Sequence, residues 1–148
     1  MNITRVDQQT FGANLVFAKD ASTRFSKNIN LENVSKIFAE RTKNLKTDMV
    51  VQPFAAKTFF AEYGKEGSIY HKVTPVISWA KEKDDATLAD KFVKLYKMFM
   101  AKCYSKQAER RGDFSDALHF EQRISEIAMK SEDKQLLKTA FELIGEEY

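Results

Sequence analysis

Helix breakers are distributed unevenly along this chain, and that distribution constrains its fold more than any other feature. Of five glycines and two prolines, only Gly112 and Gly145 come after Pro75. Residues 86–148 are otherwise a continuous field of helix formers, and each late glycine stands where an apolar periodic run stops. Earlier, Gly12, Pro53, Gly64, Gly67 and Pro75 cut the chain into short β-like pieces. The expected fold is α+β. A small, mostly antiparallel sheet of about four strands, with one helix inserted, precedes a three-helix segment, in the order β-α-β-β-β-α-α-α.

Residues 11–18 read as the first strand, with Leu15 and Phe17 on one face and Val16 on the other. Residues 19–28 are polar and read as a connection. Asn30 can cap a helix over 31–43 whose apolar positions are Leu31, Val34, Ile37 and Phe38. Strands are expected over 49–54, 57–63 and 68–77, the last two joined by Gly64-Lys65-Glu66-Gly67. Pro53 and Pro75 cannot donate to a ladder and belong at edges or strand ends.

From residue 86 the period becomes helical. Leu88, Phe92, Leu95, Tyr96, Phe99 and Cys103 share one face of a helix over 86–111, and Val93, Met100 and Tyr104 widen the apolar arc. Arg110 and Arg111 suit its last turn, and Gly112 suits the left-handed residue that ends it. Asp113 can cap the next helix, whose inward positions are expected at Phe114, Ala117, Leu118, Ile124, Ile127 and Ala128. Ser131 is expected to start the last helix, which presents Leu136, Leu137, Ala140, Phe141 and Ile144 and closes at Gly145. At 148 residues the chain is expected to form one domain, 1–148, with the sheet part over 11–78 and the helical part over 86–146.

The composition is that of an ordinary globular protein, 43% hydrophobic and 30% charged. The single cysteine, Cys103, excludes an internal disulfide framework. The N-terminal residues hold no long apolar run, and no stretch reaches the 18–20 apolar residues of a membrane span. A cytoplasmic setting without membrane contact is expected. The net charge of +3 says little, but its distribution says more. Residues 86–111 carry seven basic groups against two acids, and residues 112–148 carry four against nine. The sign changes at Gly112.

Few residues suggest chemistry. His71 shares a strand face with Ile69 and Val73, where a hydrogen-bonded, half-buried role outweighs a base or ligand. His119 falls one step off an inward row and is expected at a boundary. Cys103 lies on the apolar row, where burial opposes a reactive thiolate despite Lys102 and Lys106 nearby. Two histidines and one cysteine without close spacing give no metal site, and no cofactor is expected. Gly64-Lys65-Glu66-Gly67 is too short for a phosphate loop and enters a strand. Asp84-Asp85 and Glu132-Asp133 stand at helix starts, where capping explains them. Trp79 is expected to plug the junction between sheet and helix in preference to standing exposed.

The segment AERRGDFSDALHF (108–120) resembles the centre of a tetratricopeptide repeat, in which a helix ends at Gly-Asp-aromatic and the next carries Ala-Leu. Gly112, Asp113, Phe114, Ala117 and Leu118 match. Ala101 and Ser105 depart from that pattern, and no second copy of the unit follows. The resemblance implies an αα-hairpin and no family assignment.

These observations favour a non-enzymatic protein-interaction module, adaptor- or inhibitor-like, acting through a surface. The candidate surface is the strand pair 57–77 with Phe60, Tyr63, Tyr70 and Trp79, rimmed by Lys57, Lys65 and Lys72. A nucleic-acid-binding module would instead use Lys91, Lys94, Lys102, Lys106, Arg110 and Arg111 with the sheet aromatics. A small-molecule- or nucleotide-ligand-binding protein would use a cavity between sheet and helices, made polar by His71 and Tyr104. The wide apolar arc of 86–111 also favours a homodimer that buries the excess.

Overall fold

A computed structural model describes residues 13–43, 45, 48–52, 55–59, 68–71 and 79–145, the strands beyond Val51 by their backbone. The fold is α+β. In chain order it comprises β1 (Leu15–Phe17), α1 (Lys19–Ser22), α2 (Leu31–Arg41), β2 (Met49–Gln52), β3 (Ala55–Phe59), β4 (Ser68–His71), α3 (Asp85–Arg110), α4 (Phe114–Ser131) and α5 (Lys134–Gly145). Two compact units are formed, Met1–Val93 and Lys94–Tyr148, and their boundary lies within α3.

In the first unit the strands follow one another in the order β1-β2-β3-β4. β1 runs parallel to β2, with Leu15 opposite Met49, whereas β2–β3 and β3–β4 are antiparallel. A parallel pair needs a crossover, and residues 18–48 supply it with α1 and α2. The parallel pair and the single-turn α1, over residues read as a connection, depart from the expected arrangement. β2 ends at Gln52 and β3 begins at Ala55, two residues earlier than expected. The expected strand residues 53, 54, 60–63 and 72–77 lie outside the described residues, as does the loop 64–67.

Side-chain hydrogen bonds fix the crossover at both ends. The Asn30 side chain accepts from the Asn33 amide at 3.2 Å, which caps α2 as its sequence predicts. At the far end the buried Thr42 hydroxyl donates to the Phe38 carbonyl at 2.8 Å and accepts from the Ala13 amide at 3.2 Å. The hydroxyl therefore ties the end of α2 to the start of β1. The start of α2 is held by Asp85, whose carboxylate accepts from the Asn30 amide and the Asn33 side-chain amide, each at 2.9 Å.

The aromatic core of this unit centres on Phe92. Its ring meets Trp79 at 5.2 Å, Phe17 at 5.6 Å and Phe25 at 6.3 Å, all edge-on. Such pairs contribute about 0.5–1.5 kcal/mol each beyond the area they bury.

The second unit holds the rest of α3 with α4 and α5, joined by very short turns. Gly112, at φ +79, lets its own amide bond the Glu109 carbonyl while the Asp113 amide bonds the Ala108 carbonyl, both at 2.9 Å. Asp113 then caps α4, its carboxylate accepting from the Asp116 amide at 3.0 Å. The buried Ser105 hydroxyl donates to the Ala117 carbonyl at 3.1 Å, so one of the two residues where the repeat pattern breaks sits at a close approach of the two helices.

The next joint corrects the expected cap. Ser131 ends α4, Glu132 takes the left-handed conformation at φ 58, and Asp133 starts α5 by accepting from the Gln135 and Leu136 amides. One carboxylate oxygen, Oδ1, accepts from both amides at 2.8 and 3.2 Å, while the Ser131 hydroxyl accepts from the Asp133 amide at 3.2 Å. The inward row of α5 is Leu136, Thr139, Ala140 and Leu143. It is rotated from the expected one, because Thr139 is accommodated by donating its hydroxyl to the Gln135 carbonyl.

Candidate functional site

Helix α4 carries the surface that the sequence assigned to the core. Its buried residues are Ala117, Glu121, Ile124 and Ala128. Phe114 and Leu118, expected inward, are 69% and 53% exposed, and Met129 is 68% exposed. At 3.6 residues per turn, Phe114, Leu118, Gln122, Ser125 and Met129 fall within an arc of about 80°. They form one row along a helix of about 27 Å. The small side chains of Ala117 and Ala128 explain the rotation: they allow close packing on one side and leave the bulky groups beside it. On α5, Phe141 is 76% exposed and lies opposite the buried row.

The surface proposed from sequence fares differently. Trp79 is 2% exposed, with Phe92 edge-on and the Lys91 ammonium 5.8 Å from its ring centre, so it is a core residue and not a surface one. Lys57 and Tyr70 are Cα partners across β3 and β4. Phe60, Tyr63, Lys65 and Lys72 lie outside the described residues.

The basic row on α3 is broken. Lys102, expected to face solvent, is 1% exposed, and its ammonium donates to the Leu143 carbonyl at 2.5 Å. A cation there answers a carbonyl in the last turn of α5 and the negative end of its dipole. Lys91 pairs with Glu82 at 2.9 Å, and Arg111 pairs with Asp116 at 3.2 Å. Lys94 is half-buried, which leaves Lys106, Arg110 and Arg111 as the exposed members of the six, the last of them paired with Asp116. A phosphate-tracking surface needs its cations together in solvent. These are divided among three settings.

The ligand candidates belong to different units. His71 is the Cα partner of Ala56. The half-buried Tyr104 ring lies 5.4 Å from Phe120. Burial pushes the Cys103 thiol far up, against the opposing pull of Lys106, Lys102 and Arg110, so it is protonated. His119 is exposed, 5.7 Å from the Phe120 ring. Hydrogen bonds from the Thr87 hydroxyl and amide hold the Asp84 carboxyl below its usual value, as expected of a helix cap. Among the described residues no group of three His, Cys, Asp or Glu side chains is arranged to hold a metal ion. No helix among them is long and apolar enough to cross a membrane.

The expected excess of apolar surface on α3 is corrected as well. Met98, Met100 and Ala101 are buried within the chain. Among the described residues the large apolar side chains most exposed lie on α4 and α5, with Val16 on β1 less so, and periodicity alone gave no sign of the helical ones. An available signal was Thr139 with Leu143, which places the inward row of α5 away from Phe141. No protein family, curated protein or solved structure matches this chain.

Proposed function

We propose that this chain is a protein-interaction module, adaptor- or inhibitor-like, that docks its partner on the exposed row of α4. The observation that carries this reading is the alignment of Phe114, Leu118 and Met129 on one helical row, each more than half exposed. Single exposed apolar residues are ordinary; an aligned row beside a packed face is the geometry of helix docking. Burial of what remains exposed contributes about 1–2 kcal/mol per side chain. Three of them give roughly 3–6 kcal/mol, against an association cost of about 4–15 kcal/mol. The row therefore anchors a partner but needs a polar rim or further area to hold it.

A photo-crosslinking amino acid in place of Leu118 tests the reading. Covalent protein adducts are expected from position 118 and not from the exposed Lys138 on α5. Absence of any adduct from position 118 in cells would remove the reading. Tight oligonucleotide binding at low salt, with no protein adduct, would replace it with the nucleic-acid alternative.

A further inference from the structure

We infer that the partner on the α4 row is a second copy of this chain, packed α4 against α4, antiparallel, about a two-fold axis between Glu121 and Gln122. The inference rests on the interaction-surface reading above. Positions equidistant from that axis face one another, so Phe114 opposes Met129 of the other copy and Leu118 opposes Ser125. A large side chain thus meets a flexible one at each end, and a branched one meets a small one nearer the centre. The row carries a large apolar residue at each end, Phe114 and Met129, with Leu118, Gln122 and Ser125 between them.

A two-fold interface uses every contact twice, so each apolar side chain of the row is covered in both copies.

The rim is complementary to itself. Glu126 and His119 are both exposed and lie on the flank of the row away from the buried face. An antiparallel two-fold brings like flanks together and inverts their order along the axis. Glu126 of one copy then stands within about one helical half-turn of His119 of the other, and the contact recurs by symmetry. The carboxylate accepts a hydrogen bond from the imidazole, with charge assistance when the ring is protonated.

Sedimentation equilibrium of the full chain from micromolar to millimolar concentration tests this. A monomer–dimer equilibrium is expected, and Leu118→Glu should weaken it at least tenfold while leaving helical circular dichroism unchanged. Glu126→Lys and His119→Glu should each weaken it severalfold, and the two together in one chain should restore it. Residues 119 and 126 are two turns apart on one helix, so rescue requires a second copy. Gln122→Cys should form a disulfide-linked dimer under mild oxidation, whereas Lys138→Cys should not. A strict monomer at millimolar concentration, or a dimer indifferent to Leu118→Glu, would overturn the inference. Crosslinks from position 118 to a different protein, with this chain monomeric, would overturn it while the interaction reading stands.

Discussion

Helices α3 and α4 each carry an apolar row with helical spacing, and the two rows meet opposite fates. On α3, Phe92, Leu95, Phe99 and their neighbours are buried almost without interruption. On α4, Phe114, Leu118 and Met129 stand in solvent while Ala117, Ile124 and Ala128 take the inward side. Apolar spacing alone therefore does not decide burial. Side-chain size at the close approach does: the alanines of α4 and Ser105 of α3 let backbones come together, and larger residues are displaced sideways.

Substitutions on both rows test that contrast. Phe99→Ala should cost about 3–5 kcal/mol in denaturant unfolding, because it opens a cavity in a filled core. Phe114→Ala, the same chemical change, should stay within about 0.5 kcal/mol. Equal costs would break the comparison. Lys102→Ala should cost about 2–3 kcal/mol, since it strands the buried Leu143 carbonyl, and thermal or chemical melts would register it. An unchanged midpoint would mean that Lys102 is no more part of the core than a solvated lysine.

Smaller effects sharpen the picture at the helix ends. Gly112→Ala should cost about 1–2 kcal/mol, because its φ of +79 strains a side chain even though nothing crowds the site. A neutral result would show that the α3–α4 joint relaxes. For Asp84 the expected readout is a carboxyl titration. Its folded value is depressed, so its support for the start of α3 is present above the ordinary aspartate range and is lost as pH falls through the folded value. NMR should find that midpoint below a free aspartate, and Thr87→Ala should move it up; no movement would detach the cap from Thr87.

Much of the helical half was legible in the chain because breakers and caps are local chemistry. Gly112, Asp113 and Asn30 act where their side chains or backbone freedom predict. The apolar row of α3 was equally clear from its spacing. What could not be read depends on contacts distant in sequence. Lys102 reads as a solvent residue until the Leu143 carbonyl, forty-one positions later, is seen to accept its hydrogen bond. Phe114, Leu118 and Phe141 read as core because periodicity defines an apolar arc and says nothing of which part is covered. Ser131 reads as a cap because its competitor Asp133 differs from it by only two positions. For the candidate site the shortfall was larger. Trp79 was given both a buried and a surface role on sequence grounds, and only the ring packing with Phe92 separates them.

Asp113 joins two helices through one residue: its amide closes α3 on Ala108, and its carboxylate opens α4 on Asp116. Opening either contact loosens the other, so the amides of Asp113 and Asp116 should exchange with solvent at matched rates, as a single protected event. The joint then behaves as a hinge pin without play. Inserting one residue after Gly112 should erase protection on both sides of it at once.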